Sequence, residues 1–142
     1  MTTGWRIPYQ NYVFGKPVYY GGEAYGKVRL FRRGYGRVLK TPLHEEIAAS
    51  GMIGEMKGRI HHHSYRSVGQ LFGKFTQYAK IAASQTPRND MAKKLFLYGQ
   101  HMFWARFVRD RGYKDGWRGL VLALAFAYME ALTYVLLFLR KK

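Results

Sequence analysis

The residues with the strongest chemical character are His44-Glu45-Glu46, an arginine cluster at Arg29, Arg32, Arg33 and Arg37, a histidine run at 61–63, and Asp115 ahead of Gly116. Arg29 and Arg32 alternate with Leu30 and Phe31 in a strand-like stretch, and a guanidinium held that way can grip phosphate oxygens bidentately. Residues i and i+3 of a strand do not share one face, so at most one of the two serves a single ligand. A solvated basic hairpin is the competing reading of the same residues. Thr41-Pro42 resembles a helix start, with Thr41 as N-cap and Pro42 at the first helical position. Glu45 and Glu46 then fall in a first turn that the helix dipole stabilises without any catalytic role. Adjacent strand histidines point to alternate faces, and His61-His62-His63 lack a carboxylate partner nearby, which argues against a metal there. Asp115-Gly116 reads as a turn or N-cap.

These residues sit in a chain of 142 residues, one domain's length. Lys and Arg number 24 against 8 acids, a net charge of +16. The excess is spread along the chain, so no basic tail explains it. With 48% apolar and 17% aromatic residues, the chain has ample surface to bury, and disorder is not expected. The absence of cysteine excludes disulfides, thiolate zinc sites and cysteine nucleophiles. Residues 1–14 carry no secretory signal core, which places the N-terminus in the cytosol as an expectation. Aromatics interleave with the positive charge, but no nucleic-acid recognition module is present, and no nucleic-acid partner is expected.

The elements follow from periodicity. Tyr9–Phe14 and Val18–Tyr20 are expected strands around a Gly15-Lys16-Pro17 turn, and Val28–Arg32 is a third. Arg33-Gly34-Tyr35-Gly36 suits a hairpin leading into Arg37–Leu39. A short helix from Thr41 would end at Gly51, and Met56–His61 would be another strand. From Ser67 the period becomes helical: Val68, Leu71, Phe72, Phe75, Tyr78 or Ala79, and Ala82 form a stripe, with Ser67 and Gln70 as a capping box. A second helix starts at Asn89 or Asp90 and runs to Arg111, where Gly112 ends it. It is apolar over most of its circumference, which suits a membrane surface.

Gly119–Leu139 is a run of 21 residues with one ionisable group, Glu130. A helix of that length is about 31 Å long, close to the hydrocarbon thickness of a bilayer. Five basic residues before it and three after favour a cytosolic N-terminal side. Glu130 should face protein, water or a partner. Ala123, Ala127, Glu130 and Tyr134 form a face able to pack on another helix. Spanning is the first expectation, an interfacial position the second, and a buried soluble helix the third.

Five segments in order resemble the C-terminal half of bacterial family 2 glycosyltransferases of the lipopolysaccharide-core and cell-envelope type. They are Tyr25-Gly-Lys-Val-Arg-Leu-Phe-Arg-Arg33, Pro42-Leu-His-Glu45, His63-Ser-Tyr-Arg-Ser67, Lys74-Phe-Thr-Gln-Tyr-Ala79, and Arg111-Gly-Tyr-Lys-Asp-Gly-Trp-Arg-Gly119. The family pattern is an RLFR strand, a His-Glu pair, a histidine before a serine-rich helix start, a K-x-x-x-Y-A helix, and a G-x-x-D-G-x-x-G loop before an apolar segment. The sequence departs from the family in having no Asp-x-Asp, the metal motif that closes the nucleotide-binding half.

The resemblance implies an α+β fragment, the acceptor side of a GT-A fold. Residues 1–66 would be its β-rich part, 67–112 two amphipathic membrane-surface helices, and 113–142 an apolar membrane-associated or transmembrane helix. It further implies transfer of a sugar from a nucleotide-sugar to a lipopolysaccharide, polysaccharide or lipid-linked acceptor, at the cytoplasmic face of the inner membrane and among anionic lipids. An inverting transfer needs a base for the acceptor hydroxyl and groups to hold the diphosphate. By resemblance Glu45 is the candidate base, and His44 positions or touches metal or diphosphate. Arg29, Arg32 and Asp115 are candidate substrate or diphosphate contacts. A divalent metal, Mg or Mn, is expected for the full-length family, with its ligands mostly outside this chain, and the isolated chain is expected to be inactive. The alternative is a small basic membrane-anchored binding or assembly protein without catalysis.

Overall fold

Strand β1, Thr2–Val13, is the axis of the molecule. The computed structural model describes residues 1–40, 45–86 and 91–140. Along its first half β1 pairs antiparallel with β3 (Gly26–Phe31) and parallel with β6 (Met52–Glu55). Along its second half it pairs antiparallel with β2 (Lys16–Val18) and parallel with β7 (Ile60–Tyr65). The result is a five-stranded mixed sheet in which one long strand touches every other. Pro8 lies mid-strand, where a missing amide usually breaks a ladder. Tyr9 donates its amide to Tyr25 on the β3 side, and the Arg6 carbonyl accepts from Met56 on the β6 side. Alternation therefore turns position 8 toward the gap between the last β6 partner, Arg6↔Glu55, and the first β7 partner, Tyr9↔Ile60. No ladder bond is lost there.

Several expected boundaries move. The first turn is Phe14-Gly15, with φ of 51° and 76°, so Lys16 and Pro17 belong to strand β2. The Arg33–Gly36 turn forms, with the Tyr35 amide donating to the Arg32 carbonyl and Gly34 at φ 86°. It does not make a hairpin of the flanking strands: β3 pairs with β1 and not with β4. Strand β4 (Gly36–Lys40) pairs instead with β5 (Glu45–Ala49) in a separate two-stranded sheet. The expected helix from Thr41 is thereby corrected. Residues 41–44 lie outside the described residues, and Glu45 and Glu46 open a strand in register with Lys40 and Leu39, not a helical first turn. Glu-Glu-Ile-Ala-Ala has good local helix propensity, so pairing with β4 overrides it. The strand expected over Met56–His61 is also displaced, since β6 ends at Glu55 and β7 starts at Ile60.

Helix α1, Val68–Gln85, begins as its local signals require. Ser67 Oγ accepts the Gln70 amide at 3.1 Å, and Gln70 Oε1 accepts the Arg66 amide at 2.7 Å. Its inward stripe is Leu71, Phe75, Ala79 and Ala83. Helix α2, Met91–Trp104, continues through a π turn over Ala105–Arg109, closed by the Asp110 amide on the Ala105 carbonyl. Arg111, not Gly112, takes the left-handed conformation that stops it. Gly112 is required for a different reason: a Cβ there would lie 2.6 Å from the Arg106 carbonyl oxygen. A short 3-10 turn, Gly112–Asp115, leads into α3, Trp117–Leu139.

Helix α3 packs between the other two. It runs parallel to α1, with Phe72 against Tyr128 near one end and Ala83 against Leu137 near the other. It runs antiparallel to α2, with Tyr98 against Tyr134 and Gly99 against Ala127 and Ala131. Of the expected packing face Ala123, Ala127, Glu130 and Tyr134, Ala127 and Tyr134 thus meet a partner helix in α2. The main core joins Val13 and Val18 of the sheet to Leu71 and Phe75 of α1 and Leu122 and Ala125 of α3. Sheet and helices share one hydrophobic interior, and burying each Leu or Phe in it contributes about 1.5–3 kcal/mol.

Candidate functional site

The residues singled out in the sequence fall in three places. Arg29, on β3, donates Nε to Tyr9 Oη at 2.8 Å and lines a small cleft with Arg6, Gly26, Lys27, Val28, Glu46 and Ile47, of ≈ 180 Å³. Three cationic side chains from β1 and β3 therefore border strand β5, whose first residue is Glu45. His44 lies outside the described residues. Arg32 points elsewhere, donating Nε to the Thr2 carbonyl at 3.1 Å beside the Trp5 ring. The structure separates Arg29 from Arg32, as strand alternation requires.

Asp115 is engaged by the fold. Its carboxylate accepts the backbone amides of Tyr19 (3.0 Å) and Tyr20 (2.8 Å), fastening the chain after β2 to the start of α3. Two amides converging on one ionised carboxylate are charge-assisted bonds, stronger than neutral ones. The turn reading of Asp115-Gly116 thus gains a tertiary purpose.

A second constellation was not singled out in the sequence. Asn11, buried in β1, donates Nδ2 to the Glu23 carbonyl at 2.9 Å and to Glu23 Oε2 at 3.1 Å. Its Oδ1 therefore faces the other way, 2.9 Å from His62 Nδ1 and 3.3 Å from Ser64 Oγ. With Asn11 Oδ1 as acceptor, the network assigns the His62 proton to Nδ1 and leaves Nε2 as the basic nitrogen. Glu23 Oε1 lies 3.5 Å from Arg106 Nη1, which also donates to the Gly21 carbonyl at 2.6 Å. The Arg106 guanidinium stacks 3.6 Å from the centroid of Phe126 on α3. Gly21 and Gly22, both at positive φ, allow the loop to come down on this arginine. A Cβ on Gly22 would lie 2.6 Å from Arg106 Nη1.

Burial raises the Glu23 carboxyl above its ordinary range, while Arg106 and the Asn11 bond pull the other way. The His62 imidazole is lowered by burial and by the neighbouring Lys74 and His63. His62 and Ser64 face Asn11, whereas His61 and His63 lie on the opposite face with Tyr12, where His63 stacks at 4.6 Å. The triplet therefore splits, and among the described residues no group of three or more metal-ligating side chains forms. The one sequence signal for this seam was an asparagine whose same-face strand neighbours, Tyr9 and Val13, are largely apolar, a placement that is costly unless its amide is satisfied.

No family model, no curated protein and no solved structure matches the chain.

Proposed function

We infer that the chain forms the acceptor side of a membrane-associated glycosyltransferase, which moves a sugar from a nucleotide-sugar to a glycan or lipid-linked acceptor. The observation that carries this reading is the cleft bordered by Arg6, Lys27 and Arg29 against strand β5, which opens at Glu45. Cations there suit a diphosphate, on a leaving nucleotide or on a lipid diphosphate acceptor, and Glu46, which lines the cleft and follows Glu45 in sequence, brings the Glu-Glu pair's strand to the same rim for deprotonation of the acceptor hydroxyl. The order of the family-like motifs supports the same assignment.

In this reading Glu45 takes the proton as the hydroxyl oxygen bonds to the anomeric carbon and the diphosphate departs. His44 positions the site, and Arg29 contacts phosphate. Arg32 and Asp115, held by backbone partners, serve the architecture first. A divalent metal and the nucleotide would be held by an Asp-x-Asp half that this sequence does not contain. The isolated chain is then inactive, while the chain supplied with such a half turns over.

Two measurements test this. Binding of inorganic pyrophosphate to the full chain should weaken roughly tenfold in a Lys27→Ala/Arg29→Ala double variant, the scale of one or two charge-assisted contacts. Unchanged affinity removes the diphosphate role. With a donor-binding half supplied, Glu45→Gln should abolish turnover and keep pyrophosphate binding, and retained turnover removes Glu45 as base. Sugar transfer by the chain alone would overturn the division of labour.

A further inference from the structure

The geometry points to an in-plane seat on an anionic bilayer: α3 lies along the membrane surface with one apolar stripe in the lipid, and does not cross. This deepens the membrane placement within the proposed function and rests on it. Trp117, Leu120, Leu124, Tyr128, Val135 and Phe138 are all exposed, from 37% at Tyr128 to 60% at Phe138. On a 3.6-residue wheel the six fall within roughly 80° of arc, and the stripe runs about 32 Å along the helix. The opposite face packs on the sheet core and α1 through Leu122, Ala125 and Leu137, and one flank meets α2 through Ala127, Ala131 and Tyr134.

A spanning helix must present lipid on most of its circumference or be sheathed by other apolar helices. Here both ends of α3 are fastened to the same body. At its start, Asp115 holds the amides of Tyr19 and Tyr20. At its end, Arg140 Nη1 donates to the Ala83 carbonyl at 2.9 Å, on the last turns of parallel helix α1. Crossing would drag α1 into hydrocarbon together with its exposed Lys80.

What covers the stripe is indicated by its surroundings. On α2, Leu97 and Trp104 are 60% and 61% exposed, and Trp104 borders a groove of ≈ 660 Å³ with Leu124 and Tyr128. The patch is thus two helices wide and rich in Trp and Tyr, the side chains that favour the headgroup level. Arg109 and Lys114 are exposed near the start of the stripe and Arg140 at its end, in a protein of net charge +16. An anionic surface attracts each such cation by about 1 kcal/mol. Apolar stripe plus basic flanks is the signature of an interfacial helix.

The test uses the full chain with vesicles of mixed phosphatidylglycerol and phosphatidylcholine, and of phosphatidylcholine alone. Binding should require the anionic lipid, fall with salt, and weaken roughly tenfold or more in Leu124→Glu/Val135→Glu, with Leu124→Gln as a milder variant whose fold is checked by near-ultraviolet circular dichroism. Unaltered vesicle binding in both variants overturns the seat. Because the chain has no cysteine, Ser50→Cys and Lys142→Cys give clean single labels. Both should react equally with an impermeant maleimide on vesicle-bound protein, and selective protection of Cys at 142 means the helix crosses. Concentration-dependent dimers that both variants abolish, without vesicle binding, would assign the stripe to a second copy. Vesicle binding needs no sugar donor, so binding without turnover once a donor-binding half is supplied sinks the transferase reading alone, and turnover without binding sinks the seat alone.

Discussion

The seam at Asn11 and the outer stripe of α3 make opposite demands on their surroundings. In the seam, polar groups that would be costly to bury are answered within the chain: the Asn11 amide by Glu23, the carboxylate also by Arg106, and Arg106 by Gly21 and the Phe126 ring. On the stripe, apolar side chains that would favour burial have been left outside. A demand met internally reads as architecture, and one left unmet reads as an interface. The contrast also sorts the residues singled out by type. Asp115 and Arg32 are answered by backbone, whereas Arg6, Lys27 and Arg29 gather around an open cleft.

The comparison is broken most directly at its centre. Asn11→Ala strips donors from the Glu23 carboxylate and carbonyl and the acceptor from His62 and Ser64, and should cost about 2–4 kcal/mol in urea unfolding. A loss below about 1 kcal/mol would mean that water satisfies the seam as well as Asn11 does. Asp115→Ala should cost about 1–2 kcal/mol by freeing two amides, and Asp115→Asn should recover part of it. At the other extreme, Leu124→Gln should leave stability within about 0.5 kcal/mol, because Leu124 itself is 47% exposed. A large loss there would show that the stripe belongs to the core.

The pH dependence sharpens the same contrast. Glu23 is raised above its ordinary value near 4.5, so the folded state binds its proton more readily than the unfolded chain. Stability from this group is therefore full below the ordinary carboxylate value and falls as pH rises through the raised one. The stability difference between wild type and Glu23→Gln should decline across that window. A flat difference would mean that Arg106 compensates the burial completely.

Much of the fold was legible locally. The Ser67–Gln70 cap, the turn at Arg33–Gly36 and the apolar run of α3 depend on neighbours a few residues apart and stand where their patterns put them, while the stripe of α1 keeps Leu71, Phe75 and Ala79 but leaves Val68 exposed and adds Ala83. The misread segments depend on pairing between strands. Glu45–Ala49 favours a helix by itself and becomes a strand by pairing antiparallel with β4. Of the candidate site, the clustering of basic residues on β3 and the divergence of Arg29 from Arg32 were legible, but the β1 partners that hold them, Tyr9 and Thr2, were not. Asn11 went unnoticed because a single polar residue in a strand carries no spacing signal.

By itself the sequence determined the class of each helix, the strongly basic surface and the presence of a long apolar segment, since composition and short-range periodicity set these. Only the tertiary structure decided which strands pair, which charged groups are spent on the backbone, and that α3 is held by α1, α2 and the sheet with one face left bare. Pairing and burial are energies between groups far apart in the chain, and they exist only once those groups meet.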